Sequence, residues 1–126
     1  MRYLIATLVA FSSMSASAEC WVVDNLKGQS QFSPSYNVEK DKAEGIYHIK
    51  IESNAASLSS VGNMYHSGLN YHPLSPISMI GVAENAALTE TWTITYNSKV
   101  LYTKVRVTQS GTSQISSFVG DVTGKC

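Results

Sequence analysis

Between Gly62 and Pro76 the chain reads GNMYHSGLNYHPLSP, fifteen residues with no formally charged side chain at neutral pH and two Tyr-His pairs. Two chemistries suit such residues. Tyr65, His66, Tyr71 and His72 could anchor a protein-recognition loop, because uncharged runs of Tyr, Ser, Asn and Gly make contact surface at low entropic cost. Met64, His66 and His72, with His48 in support, could instead hold a copper-type ion, since thioether and imidazole are the donors it prefers. The spacing favours protein recognition: two histidines six apart on a loop match no standard zinc pattern. The plainest role for Tyr65, Leu69, Tyr71 and Leu74 is to pack the segment onto the body of the protein, as long surface loops do.

Catalytic patterns do not emerge. No serine stands in a G-x-S-x-G elbow, and no phosphate-cradling or dinucleotide fingerprint occurs. Glu84 and Glu90 could pair as acid and base, but loop solvation and strand-end polarity account for both. Asp24 and Asp121, each beside a terminal strand, read as solvent-facing rim residues. No catalytic residue and no cofactor is expected.

Residues 1–18 read as a secretory leader. Arg2 supplies the charged start, Tyr3 to Phe11 the apolar run, and Ala16-Ser17-Ala18 the small-x-small cleavage site. A span would need about 20 apolar residues, which neither this run nor any later one supplies, so no membrane insertion of the mature chain is expected. Residues 19–126 then form one domain, placed in a periplasm or secreted. The absence of an N-x-[ST] sequon fits the first of these. Nine Lys and Arg balance nine Asp and Glu over the whole chain, without blocks of either sign, so nothing recruits nucleic acid or an anionic membrane. Cys20 and Cys126 are expected to pair in an oxidising compartment, which sets the first strand beside the last and antiparallel to it.

The elements that must position all this are strands. Glu90 to Thr108 reads as a β-hairpin turning at Asn97 and Ser98, which opposes Ile94 to Leu101 and Trp92 to Thr103. That register predicts one core face of Trp92, Ile94, Leu101, Val105 and Val107. It also predicts a mostly wet face carrying Thr91, Thr93, Thr95, Val100, Tyr102, Lys104 and Arg106, on which Tyr102 and Arg106 would be available to an acidic partner. Cys20 to Val23, Tyr36 to Lys40, Ile46 to Glu52, Leu58 to Val61, Ile77 to Val82 and Ile115 to Val122 complete the set, with turns at Asp24 to Gly28 and Asp41 to Gly45. Ser53 to Pro76 is otherwise irregular. Gly120 implies a bulge or a close backbone approach.

The expected class is therefore all-β: a single-domain antiparallel β-sandwich or small meander barrel of about seven or eight strands, its termini joined by a disulfide. The expected function is an exported, non-enzymatic module that binds another protein, for example as an inhibitor of an envelope or secreted enzyme. A small-ligand carrier using a barrel mouth, or a copper-type metal carrier, is the alternative, and a hydrolase comes last.

Overall fold

Antiparallel ladders turn every second side chain to one face, and here that face closes on itself. The computed structural model describes residues 18–61, 69–83, 85 and 87–126; the expected leader, apart from Ala18, lies outside them. Among the described residues there are nine strands and no helix: β1 (Glu19–Phe32), β2 (Val38–Ala43), β3 (Ile46–Ile51), β4 (Ala56–Val61), β5 (Asn70–Ser75), β6 (Ser78–Val82), β7 (Leu88–Ile94), β8 (Lys99–Val107) and β9 (Ser113–Lys125). They form one antiparallel sheet in the order β4-β3-β1-β9-β8-β7-β6-β5, with β2 beside β1. β2 and β3 lie end to end along the same edge of β1, opposite Leu26–Gln31 and Glu19–Val23 respectively. The ring thus has eight staves in meander order and is a nearly closed barrel. The expected fold class holds in its barrel form.

The bridge between Cys20 and Cys126 is formed, and the Cys126 amide donates to the Cys20 carbonyl at 3.1 Å. β1 and β9 pair antiparallel from Trp21↔Lys125 to Phe32↔Gln114, as the cysteines implied. The expected turn at Asp24 to Gly28 is instead strand. Irregularities at Val22/Val23 and Asp24/Lys27 bend β1, with Asn25 at φ 58° taking the left-handed conformation that Asn tolerates. Gly120 meets its expectation: a Cβ there would stand 2.7 Å from the Asp24 carbonyl oxygen.

The hairpin turns one residue wider than expected. The Thr95 amide donates to the Lys99 carbonyl at 2.8 Å and the Lys99 amide to Thr95 Oγ1 at 3.0 Å, which leaves a three-residue loop, Tyr96-Asn97-Ser98, with Ser98 at φ 62°. Three-residue hairpin loops characteristically end on such a left-handed residue. A one-residue shift turns a whole strand over, so Ile94 opposes Val100, Trp92 opposes Tyr102 and Glu90 opposes Lys104. Tyr102 and Val100 therefore point inward, and Leu101, Val105 and Val107 outward; the sequence-based sorting of β8 is reversed.

This inversion yields a direct test. Val100 is fully buried whereas Leu101 is 42% exposed. Val100→Ala should cost about 2 kcal/mol in urea unfolding, and Leu101→Ala less than about 1 kcal/mol. The opposite ranking would restore the two-residue turn.

The segment Ser53 to Pro76 also corrects. Asn70–Ser75 is strand β5, paired with β6 through Tyr71↔Gly81, His72↔Ile80 and Pro73↔Met79. Proline is tolerated because β5 ends the sheet order and its pairing with β6 is irregular between Pro73 and Ser75.

Candidate functional site

The interior is divided along the barrel axis. The end that carries the disulfide is filled with Val23, Leu26, Ile49, Ile51, Ile94 and Val100. Above this plug the register builds an aromatic tier from three neighbouring strands, Trp92↔Tyr102↔Phe118. The Trp92 and Tyr102 rings stack at 3.9 Å between centroids, Tyr102 and Phe118 lie at 5.4 Å, and Tyr47 tilts against Trp92 at 5.6 Å. Gly28 continues the row beside Phe118 and brings Asp41 of β2 into it.

The next inward row is polar: Tyr71, Gly81, Glu90, Lys104, Ser116 and Ser30, each opposite the next across β5, β6, β7, β8, β9 and β1. Between the two rows lies a cavity of about 260 Å3, lined by Asp41, Lys42, Ala43, Tyr47, Leu58, Ser60, Glu90, Trp92, Tyr102, Lys104, Gln114 and Phe118.

Glu90 is 4% exposed, and its carboxylate is held entirely by neutral donors. Tyr102 Oη donates to Oε1 at 2.8 Å, while Tyr71 Oη at 2.7 Å and Trp92 Nε1 at 3.3 Å donate to Oε2. Hydrogen bonds to an ionised acceptor are the stronger kind, and three of them fix the carboxylate in one orientation. Gly81 makes room for this. A Cβ on it would stand 2.4 Å from Cε1 of the Tyr71 ring, so the phenol can lie across the backbone to reach Glu90.

Burial and the Glu90 charge push the Tyr102 hydroxyl far above its ordinary range, and they raise Tyr47 for the same two reasons. Both phenols stay protonated and act as donors.

Opposite Glu90 runs a second chain of bonds. Ser30 Oγ donates to Asp41 Oδ2 at 2.5 Å, and since a hydroxyl has one proton, the 2.5 Å contact between Ser116 and Ser30 must run from Ser116 to Ser30. Gln114 Nε2 donates to Ser116 at 2.9 Å, so the chain has a single direction that ends on the Asp41 carboxylate.

Lys104, half-buried and opposite Glu90, is acted on by both carboxylates, and its ammonium forms neither hydrogen bond nor ion pair among the described residues. Burial, then the charge of Arg106, lower its ammonium below the ordinary lysine range, against an opposing pull from Glu90 and Asp41.

The residues singled out from the sequence are dispersed. Tyr71 belongs to the cup, with its hydroxyl committed to Glu90. Tyr102, 6% exposed, lies inside and not on a partner-facing surface. Arg106 is exposed at the polar end of β8, and His72 is exposed on β5, on the opposite side of the strand from Tyr71. Met64, Tyr65, His66 and Glu84 lie outside the described residues. Among the described residues no three His, Cys, Asp or Glu side chains converge to hold a metal ion. Asp24 and Asp121 are cross-strand neighbours on the rim, where Lys99 and then Asn25 hydrogen-bond Asp121 and hold its carboxyl below the usual range.

Glu90 is the residue that sequence reasoning misjudged most. Its signal was present: it has the same parity as Trp92 and Ile94, so alternation alone carries it to the core face.

No protein-family model matches the chain, and no curated protein or solved structure shows significant similarity to it. What the fold and site define is a class: an eight-stave antiparallel meander barrel with an apolar plug at one end and a polar, aromatic-floored cup at the other.

Proposed function

We propose that the protein is an exported, non-enzymatic binding protein that takes a small, largely planar organic molecule into the cup of the barrel. The observation that carries this is the cavity of about 260 Å3 between the aromatic tier and the row of Glu90 and Lys104. Burying a carboxylate and an amine costs several kcal/mol unless each is well partnered, and hydrophobic side chains of the same volume would stabilise a barrel better. The opposite end of this barrel is filled in that cheaper way. Small-molecule sites combine apolar walls with a few placed polar groups, often in the mouth of a barrel. The disulfide supports an oxidising compartment, and with it the periplasmic or secreted location.

Protein recognition through the segment from Gly62 to Pro76 draws less support. Tyr71, one of its expected contact residues, has its hydroxyl bonded to Glu90, and so has Tyr102, which was expected on a partner-facing side of the hairpin.

The experiment is a titration of 15N-labelled protein with indole and cinnamyl alcohol, following the indole N–H signals of its two tryptophans. Trp92 lines the cavity and should shift saturably. Trp21, which does not line it, should stay in place. Equal movement of both signals, or of neither, with every probe would refute binding in the cup.

A further inference from the structure

Of the charged groups that line the cavity, Lys104 alone lacks a hydrogen bond or ion pair among the described residues. Lys42 is paired with Glu44, Glu90 with its three donors, and Asp41 with Ser30. The cross-strand neighbours of Lys104 cannot serve it easily. Glu90 has three of its roughly four acceptor positions filled, and Ser116 is engaged with Ser30 and Gln114. An inward lysine thus presents three unused N–H groups to a small cavity with an aromatic floor.

The surrounding charges restrict what can meet that amine. An anionic group reaching Lys104 would also face Glu90 and Asp41, both close enough to act on its ammonium, and a cationic group would face Lys104 and Arg106. A neutral carbonyl meets neither repulsion. We propose, on the small-ligand reading above, that Lys104 is a reversible covalent anchor for a small aromatic aldehyde, which the cup holds as a protonated imine facing the Glu90 and Asp41 carboxylates.

The chemistry closes without an oxidant or reductant. The ammonium of Lys104 gives one proton to water, and the free amine adds its lone pair to the carbonyl carbon, forming the C–N bond while the carbonyl π pair moves to oxygen. Proton transfer from nitrogen to that oxygen gives a neutral carbinolamine. Protonation of the hydroxyl lets it leave as water while the nitrogen lone pair forms the C=N bond. The net change is ammonium plus aldehyde to iminium plus water, with charge conserved. Burial favours the first step by lowering the affinity of Lys104 for its proton, as at other imine-forming lysines. Glu90 and Asp41 then face the iminium as counter-ions. The volume corresponds to about nine waters at roughly 30 Å3 each, which fits an aldehyde of about ten non-hydrogen atoms.

The test uses cinnamaldehyde and its alcohol, which has the same frame but cannot condense. The disulfide-bonded protein is incubated with the aldehyde, reduced with cyanoborohydride and mapped by mass spectrometry, while binding of the alcohol is measured by calorimetry. The expected result is saturable binding of the alcohol, together with one reduced adduct at Lys104 that forms at least about tenfold faster than at any of the other six lysines. Lys104→Arg should abolish that adduct, and Lys50→Met, outside the cavity and paired with Glu52 at the surface, should keep both the adduct and alcohol binding. Alcohol binding with labelling spread over the exposed lysines overturns the imine and leaves the small-ligand cup standing. Absence of both alcohol binding and Lys104 labelling overturns the two together.

Discussion

Replacing Cys20 and Cys126 together by Ser should remove about 4–5 kcal/mol of stability, the chain-entropy value for a closed loop of this length. The two residues are 106 apart in sequence, so the bridge excludes most of the open conformations of the unfolded chain. A small domain has only about 5–15 kcal/mol in total, which leaves the variant near the edge of folding. At roughly 4–8 °C per kcal/mol for a domain of about this size, the midpoint should fall by about 20–35 °C. The native barrel should change little, because β1 and β9 remain joined by their ladder from Trp21 to Phe32 and lose only a tether at its end. Urea and thermal unfolding of the bridged protein and the double variant, followed by far-ultraviolet circular dichroism, measure the difference. A loss below about 1 kcal/mol would mean that the unfolded ensemble already holds its ends together.

The same bridge explains why the pairing of the first strand with the last was legible from the sequence. Paired cysteines near both ends of a domain bring its first strand beside its last, in a sandwich as in a barrel, so the barrel itself became visible only with the strand order. Local alternation was legible too, in Ile46 to Ile51 and in Glu90 to Ile94. What alternation does not carry is the length of a turn. Nothing in Tyr96-Asn97-Ser98 distinguishes a three-residue loop from a two-residue one, because the left-handed position is filled by Ser98 where glycine would have announced it. That single residue decided which side of β8 faces inward, and with it the environment of Tyr102 and Lys104.

Two further elements were hidden by their own irregularities. β1 bulges where its sequence reads Asp-Asn-Leu-Lys-Gly, a composition that belongs equally to turns, so its second half escaped detection. β5 carries Pro73 in its centre, which demotes a strand unless it closes a sheet edge. Since Tyr71 sits on β5, and Ser30 and Asp41 lie on β1 and β2 beyond the bulge, the cup was assembled from the stretches that sequence periodicity describes worst. Glu90, in phase with Trp92 on a strand that alternation does describe, was the polar member that could have been found.

Trp92→Ala should be the most damaging single substitution in the cup, costing about 3–5 kcal/mol. The side chain is 2% exposed, stacks on Tyr102, touches Tyr47 and donates its indole proton to Glu90, so truncation opens a cavity, removes two ring contacts and takes one donor from a buried carboxylate. Trp92→Phe separates these effects. It keeps a ring over Tyr102 and loses the N–H, and should cost about 2–3 kcal/mol, from one hydrogen bond to a charged acceptor plus a small packing loss. Combining Trp92→Ala with Tyr102→Leu should show a coupling of about 0.5–1.5 kcal/mol from the stacked pair. Urea unfolding of the four proteins by far-ultraviolet circular dichroism completes the cycle. A cost for Trp92→Ala below about 1 kcal/mol would show that the aromatic tier does not hold the staves together. An intact fold after truncation would also free the Glu90 side of the cup to take a bulkier ligand, so the same variants report on stability and on the size limit that the tier imposes.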